Sequence, residues 1–172
     1  THRNVIRIFD FVSLGGNYAI SMEYFPSHTL GAEMQKHKPL PFAKTNSWAR
    51  DMANRIAVAH QVGIIHRDLK PANILTKTGY VIGSPKYMAP EQILGKKVDH
   101  RADIYSIGVI VYEMLTGTPP YTKGDHMSVM YQHVQGKAKL CEELNPEIPP
   151  ALAAVVRKAM EVDKLKRFNS MD

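Results

Sequence analysis

The sequence contains a single cysteine, Cys141, among its 172 residues. One cysteine excludes an internal disulfide and a zinc site built on cysteine ligands, and it is typical of a reducing compartment. The eight histidines do not follow the spacing of a metal site, so we interpret His60 and His66 as structural or loop residues. The first residues do not resemble a secretion signal.

Long hydrophobic runs are also missing. The most apolar stretch, residues 104–115, is too short to cross about 30 Å of hydrocarbon as a helix, and it predicts a buried core helix instead. Basic residues outnumber acidic ones, 22 to 16, but they are spread along the chain, and the densest group, within 164–167, is small. This distribution favours a solvated surface over a nucleic-acid-binding face.

The hydrophobic residues, 44% of the chain, are sufficient for one globular domain with a core. Residues 5–12 and 18–25 are rich in β-branched and aromatic side chains, and the turn at residues 15–17 between them predicts a β-hairpin. Residues 74–81 could form two further short strands. From Thr45 onward most of the chain has a helical pattern, so we expect a mainly α fold with a hairpin at its N-terminal edge.

Four helices are predicted from apolar spacing and terminal signals. The first has candidate N-caps at residues 45–47 and ends at Gly63, and the second runs from Asp103 to Thr116 and is closed by Gly117. The third is indicated by an apolar stripe of Met127, Met130, Tyr131 and Val134. The fourth starts at Pro149-Pro150 and has an apolar stripe of Leu152, Val155, Val156 and Ala159.

The stretch HRDLKPAN, residues 66–73, carries the most specific chemistry. Phosphoryl transfer to a hydroxyl requires a group that takes up the acceptor proton, a positive charge against the phosphate and a held cation. Asp68 can accept the proton, Lys70 can lie against the phosphate, and Asn73 can offer a carbonyl oxygen to magnesium. A polar turn would not require this ordered set.

Three motifs in order, HRDLKPANIL, GSPKYMAPE and HRADIYSIGVIVYEMLTGTPPY, resemble the eukaryotic-type (Hanks-type) protein kinase family, and Lys70 and Ser84 resemble its serine/threonine branch. GIIHRDLKPANIL with YMAPEQ is similar to the bacterial members. The resemblance implies a protein-kinase-like C-terminal lobe with a β-hairpin remnant of the N-terminal lobe. It also implies ATP and Mg²⁺ as cofactors, a protein substrate with a Ser or Thr acceptor, possible self-association for autophosphorylation, and a cytoplasmic kinase domain.

The resemblance assigns roles to residues that match the motifs. Asp68 would be the catalytic base, Lys70 the phosphate contact and Asn73 a magnesium ligand. Arg67 would be regulatory and pair with a phosphorylated residue of the activation loop. Ser84 would help to seat the peptide substrate near Asp68 and Lys70.

Residues outside the catalytic loop also receive roles from the resemblance. Glu91 would pair with Arg167, and Asp103 would brace the backbone of the catalytic loop. MEYF, residues 22–25, resembles the hinge that holds adenine. The nucleotide contacts implied by the resemblance are Met22 at the back pocket, the backbones of Glu23 and Phe25 at the adenine, Thr29 near the ribose and Leu75 beneath the base.

The sequence departs from the family where carboxylates are needed. No Asp or Glu occurs from Leu69 to Pro90, so the magnesium-binding Asp-Phe-Gly motif is absent, with an apparent gap near residues 80–81. The family's Gly-rich loop, strand lysine and helix glutamate would precede residue 1. We therefore read residues 1–25 as N-lobe strands and hinge, and 26–172 as the C-lobe. Three hypotheses remain: a piece of an ordinary kinase, a truncated interaction module, or a pseudokinase.

Overall fold

The computed structural model describes residues 6–24, 27–76 and 85–171. Phe25, Ser84 and the apparent gap near residues 80–81 lie outside the described residues. Four short strands are β1 (Ile8–Leu14), β2 (Asn17–Met22), β3 (His28–Thr29) and β4 (Leu75–Thr76). Seven helices are α1 (Leu30–Lys36), α2 (Phe42–Gln61), α3 (Pro90–Ile93), α4 (Arg101–Thr116), α5 (His126–Gln135), α6 (Cys141–Leu144) and α7 (Pro150–Ala159). The predicted mainly α fold with a β-hairpin is confirmed.

The N-terminal hairpin is formed by β1 and β2, which pair antiparallel from Ile8 opposite Met22 to Leu14 opposite Asn17. Gly15 and Gly16 have φ angles of 55° and 85°. Two successive positive φ angles suit the tight turns of β-hairpins and favour glycine. Asn17, which the sequence placed in the turn, already belongs to β2.

Helix α4 is the centre of the core. Nearly all of its residues are buried, and α2 and α7 are its main helical neighbours. Gly108 lets α7 approach closely, because a Cβ atom at this position would lie 2.9 Å from the Cβ of Ala159. The helix begins two residues before the predicted Asp103 and ends as predicted before Gly117, whose φ is 78°. Because α4 is surrounded, side chains on its faces can hold several loops at once.

Three sequence predictions about helices are wrong in part. Helix α2 starts at Phe42 after Pro41, and Thr45 is a buried residue within it rather than a cap. In α5 the buried residues are Val129 and His133, whereas Met127 and Tyr131 are 69% and 64% exposed. The buried face of α5 turns towards Tyr105 and Tyr121, whose rings contact His133. In α7, Val155 of the predicted stripe is likewise exposed.

A two-residue sheet joins β3 to β4, with Thr29 opposite Leu75. Strand β4 lies within residues 74–81, where the sequence predicted strands, whereas β3 was not predicted. The rest of that predicted stretch, from residue 77, lies outside the described residues. The adjoining backbone bond from Leu30 N–H to the Ile74 carbonyl is 2.8 Å long. Residues 71–73 form a short 3-10 turn that packs against α1. This sheet fixes the segment after HRDLKPAN against the start of α1.

None of the helices in the described ranges is both long enough and apolar enough to cross a membrane.

Candidate active site

Two side chains of the HRDLKPAN loop, Lys70 and Asn73, converge on the carboxylate of a third, Asp68. Lys70 Nζ lies 3.0 Å from Asp68 Oδ1 and 2.7 Å from Oδ2. Asn73 Nδ2 donates to Asp68 Oδ2 and to the Asp68 carbonyl oxygen, each at 2.9 Å. The Asp68 side chain is 63% exposed and that of Lys70 is 19% exposed. A solvent-accessible carboxylate is thus held by a fixed cation and a fixed amide.

Asp103 holds the backbone of this loop from within the core. Its side chain is 1% exposed, and its two oxygens accept hydrogen bonds from the backbone N–H groups of His66 at 2.9 Å and Arg67 at 2.8 Å. His60 Nε2 donates to the same carboxylate at 2.8 Å. Hydrogen bonds to a charged acceptor are stronger than neutral ones, so α4 fixes the loop directly before Asp68. His60 and His66 occupy the structural positions that the sequence predicted.

Arg67 has a φ of 64°, which costs a non-glycine residue about 1–2 kcal/mol. Its carbonyl oxygen accepts a hydrogen bond from Gln92 Nε2 at 2.8 Å. The next backbone N–H, that of Asp68, donates to His66 Nδ1 at 3.3 Å. Neighbouring side chains therefore stabilise a backbone conformation that the sequence around Arg67 does not favour. Sequence reasoning did not identify Gln92.

Glu91 and Arg167 form a buried ion pair. Arg167 Nη1 donates to Glu91 Oε1 and Nη2 to Oε2, both at 2.8 Å. The remaining donors of Arg167 bind the carbonyl oxygens of Glu161, Arg101 and Val162. The structure thus brings together the two residues that the resemblance paired. The pair attaches α3 to the C-terminal part of the chain.

The segment where the peptide substrate is predicted to lie is fastened to α4. Ser106 Oγ donates to the Tyr87 carbonyl at 2.8 Å, and Tyr87 Oη donates to Glu113 Oε2 at 2.6 Å. Burial raises the pKa of Glu113 and of Tyr87. The sequence did not indicate this contact, because residues 87 and 113 belong to separate motifs.

The predicted nucleotide contacts are spread over the hairpin and the small sheet. Met22 is 51% exposed at the end of β2, and Leu75 is 37% exposed in β4. The Glu23 N–H donates to the Arg7 carbonyl at 2.7 Å. Thr29 is buried, and its hydroxyl caps α1 by accepting from the Ala32 N–H at 3.2 Å. The roles of these residues towards a nucleotide stay predictions.

The described residues supply only part of a magnesium site. Asn73 uses its Nδ2 to bind Asp68, so Oδ1 is the atom with which it would ligate the predicted magnesium ion. Magnesium prefers octahedral oxygen coordination that usually includes one or two carboxylates. Among residues 6–24, 27–76 and 85–171, no three His, Cys, Asp or Glu side chains are grouped for metal binding. A further carboxylate is needed to complete the site.

The comparison with known families gives the class of the chain. The family described as "Protein kinase domain" matches residues 1–81 and 76–172. The chain therefore belongs to the protein kinase family, and the relatives described below place it with the Hanks-type serine/threonine branch.

Several bacterial proteins are similar to the chain. "Serine/threonine-protein kinase PksC" of Streptomyces coelicolor is 30% identical over 205 residues, covering 100% of this chain and 37% of the relative. "Serine/threonine-protein kinase PknD" of Mycobacterium tuberculosis is 31% identical, covering 99% of this chain and 29% of the relative. "Serine/threonine-protein kinase PrkC" of Bacillus subtilis is 29% identical, covering 99% of this chain and 30% of the relative.

These matches also describe how much of a kinase the chain contains. It spans about a third of the length of the relatives that it matches. The family matches the chain as two segments that meet near residues 76–81. The alignment with PksC has 205 positions against 172 residues here, so at least 33 positions are filled only by the relative.

Proposed function

We propose that the protein from which this chain comes transfers the γ-phosphoryl group of ATP to Ser and Thr hydroxyls of proteins. The observation that carries this proposal is the constellation of Asp68, Lys70 and Asn73 on a loop fixed by Asp103. The names of the bacterial relatives support a Ser/Thr substrate. A simple polar turn would not require these three side chains to lie together on a loop fixed from the core.

In the proposed reaction, the oxygen of the acceptor hydroxyl forms a bond to the γ-phosphorus, and the bond from that phosphorus to the bridging oxygen of ADP breaks. The proton of the hydroxyl passes to the Asp68 carboxylate, which is exposed enough to meet a substrate. Lys70, already beside Asp68, would balance the negative charge of the phosphoryl group during transfer. Positioned proton acceptors contribute about 10²–10⁴-fold to such rates.

The nucleotide would lie between the hairpin and the β3–β4 sheet. The resemblance places adenine against the backbones of Glu23 and Phe25, with Met22 and Leu75 as apolar contacts. Asn73 would ligate magnesium through its amide oxygen, but this chain has no Asp or Glu from Leu69 to Pro90, so we propose that the complete protein supplies the carboxylate ligand. The split family match and the unmatched positions of PksC support an internal segment that this chain does not contain.

The remaining roles belong to the substrate and to regulation. We propose that Ser84 and the fastened Tyr87 segment seat the acceptor peptide, and that Arg67 binds a phosphorylated activation loop. Autophosphorylation would require transient self-association of the kinase. A reducing cytoplasmic location suits ATP use and the free, buried Cys141.

The experiment that tests the proposal measures phosphate transfer by the full-length protein, with magnesium-ATP and a Ser/Thr protein substrate. Asp68→Asn should abolish transfer, because the amide cannot accept the hydroxyl proton. Asp51→Asn, at an exposed position of α2, is the matched control and should leave transfer unchanged. Activity that survives in Asp68→Asn would refute the role of Asp68.

The alternative is a truncated kinase or pseudokinase that acts as an interaction module. The absence of Asp and Glu from Leu69 to Pro90 favours it for the chain as written. The intact mass of the natural protein separates the two: 19.3 kDa would mean that the internal deletion is real, whereas a much larger mass would support the enzyme. Such a module should show no thermal shift with magnesium-ATP.

A further inference from the structure

We propose that Gln92 is a positioning residue for the catalytic base Asp68, acting through the backbone of Arg67. The inference deepens the proposed function and rests on it for its catalytic consequence. The contact on which it is based can also be measured without any activity. Neither the motifs nor the roles carried over from the family had assigned a role to Gln92.

The amide of Gln92 joins two parts of the structure. Its Nε2 donates to the carbonyl oxygen of Arg67 at 2.8 Å, and its Oε1 accepts from the N–H of Ala89 at 3.1 Å. The side chain is partly buried. Both polar ends of one side chain are used, so its rotamer and the orientation of its amide are defined.

The Arg67 carbonyl belongs to the peptide group that leads directly into Asp68. The N–H at the other end of this peptide group makes only a 3.3 Å contact with His66 Nδ1. Asp103 holds the two preceding N–H groups, those of His66 and Arg67. Asp103 does not contact the peptide group between Arg67 and Asp68. The shorter of the two hydrogen bonds of this peptide group comes from Gln92, which therefore determines the orientation of the group.

The orientation of that peptide group matters because Arg67 has a positive φ of 64°. A residue other than glycine leaves this region readily unless its surroundings hold it. Rotation of the peptide between Arg67 and Asp68 would swing the Asp68 carboxylate away from Lys70 and Asn73. The hydrogen bond from Gln92 opposes this rotation.

Helix α3 holds the backbone of Gln92 in a fixed position. Glu91, the preceding residue, is held by both terminal nitrogens of Arg167. Ala89, directly before α3, binds the other end of the Gln92 amide through its N–H.

The discriminating substitution is Gln92→Glu. Glutamate keeps the length of the side chain and the oxygen that accepts from the Ala89 N–H, but it places a carboxylate oxygen against the Arg67 carbonyl. Gln132→Glu is the matched control. Gln132, which lies in α5, is also partly buried, and its Nε2 donates to the Lys123 carbonyl oxygen at 2.7 Å. Gln92→Met, which removes both hydrogen bonds without adding charge, replaces Gln92→Glu if that variant does not fold.

In the full-length protein, we expect Gln92→Glu to lower kcat by about tenfold or more, with KM for ATP changed by less than about twofold and an unchanged melting temperature. A lower kcat with an unchanged KM for ATP and an unchanged melting temperature identifies loss of positioning rather than loss of nucleotide binding or of folding. Gln132→Glu should leave all three quantities unchanged. An unaltered kcat in Gln92→Glu, or an equal fall in the control, would overturn the proposal.

The second measurement is the NMR chemical shift of the Arg67 carbonyl carbon and the Asp68 amide in the 172-residue chain. Both signals should move in Gln92→Glu and stay in place in Gln132→Glu. If the unsubstituted full-length protein transfers no phosphate, the proposed function fails, yet moved signals would still support the contact between Gln92 and the loop. Unmoved signals would refute the positioning role in either case.

Discussion

Substitution of Glu91 by glutamine tests how much the buried ion pair with Arg167 contributes to stability. Glu91 and Arg167 are only 5% and 3% exposed. Glutamine keeps the shape of the side chain, but it removes the negative charge and turns one acceptor oxygen into a donor nitrogen. That nitrogen would face a donor of Arg167, so one of the two 2.8 Å hydrogen bonds is lost and the guanidinium charge stays buried without a counter-ion.

Loss of one partner of a buried ion pair costs about 3–5 kcal/mol. Arg167 retains its hydrogen bonds to three carbonyl oxygens, those of Glu161, Arg101 and Val162, which supports the lower end of this range. We therefore expect the free energy of unfolding to fall by about 3 kcal/mol. For a chain of this length, that decrease lowers the melting temperature by about 6–12 °C.

Urea unfolding followed by circular dichroism measures this change. Glu142→Gln is the control, because Glu142 pairs with Arg157 at the surface, where the two side chains are 30% and 53% exposed. Exposed pairs contribute about 0–1 kcal/mol, so the control should stay within that range. A loss of less than about 1 kcal/mol in Glu91→Gln would refute the view that the buried pair holds α3 in place.

Two further predictions concern single positions: Gly136, the C-cap of α5, and the buried His133. Gly136→Ala should lower the free energy of unfolding by about 2 kcal/mol or more, because φ is 66° and the new Cβ would lie 2.3 Å from Val162 Cγ2. Burial lowers the pKa of His133 from 6.5 to about 4, so the unfolded chain binds a proton that the folded chain excludes. The contribution of the neutral His133 to the free energy of unfolding is fully present above pH 6.5. As the pH drops to 4, the free energy of unfolding should fall by up to about 3 kcal/mol.

Urea titrations measure both effects, and the glycine prediction has a matched control. Gly63→Ala shares a positive φ of 76° but has no atom within 4 Å of its Cβ, so it should cost only about 1 kcal/mol. An equal loss at both glycines would contradict the predicted clash with Val162. For the pH effect, NMR titration of His133 should give a midpoint near 4, and a midpoint near 6.5 would contradict the argument.

The candidate site shows which features a linear motif can predict. Asp68, Lys70 and Asn73 lie within six residues, so their convergence follows from the local turn and was predictable. Asp103, Glu91 and Arg167 were found because each lies in a distinctive motif. Gln92 and the contact between Tyr87 and Glu113 were missed, since a hydrogen bond between distant residues leaves no spacing signal in a single sequence.

The errors in the fold have similar physical causes. The sequence missed β3, because a strand of two residues is too short to show an alternating pattern and exists only where distant segments meet. In α5, side-chain hydrophobicity suggested that Met127 and Tyr131 were buried, but the face that packs inward carries His133, whose Nδ1 is hydrogen-bonded to Tyr105 Oη at 2.7 Å. In α2, Pro41 starts the helix before the polar residues that were expected to cap it.

The sequence by itself determined the family, the helical character of the chain and the identity of the catalytic-loop residues, because these depend on local order and composition. It also revealed the missing carboxylate after Leu69. Only the tertiary structure decided that Gln92 from α3 also holds that loop, beside the predicted brace from Asp103 and the predicted pair of Glu91 with Arg167. These contacts join residues 25 to 76 positions apart, and their geometry arises only when the helices pack around α4.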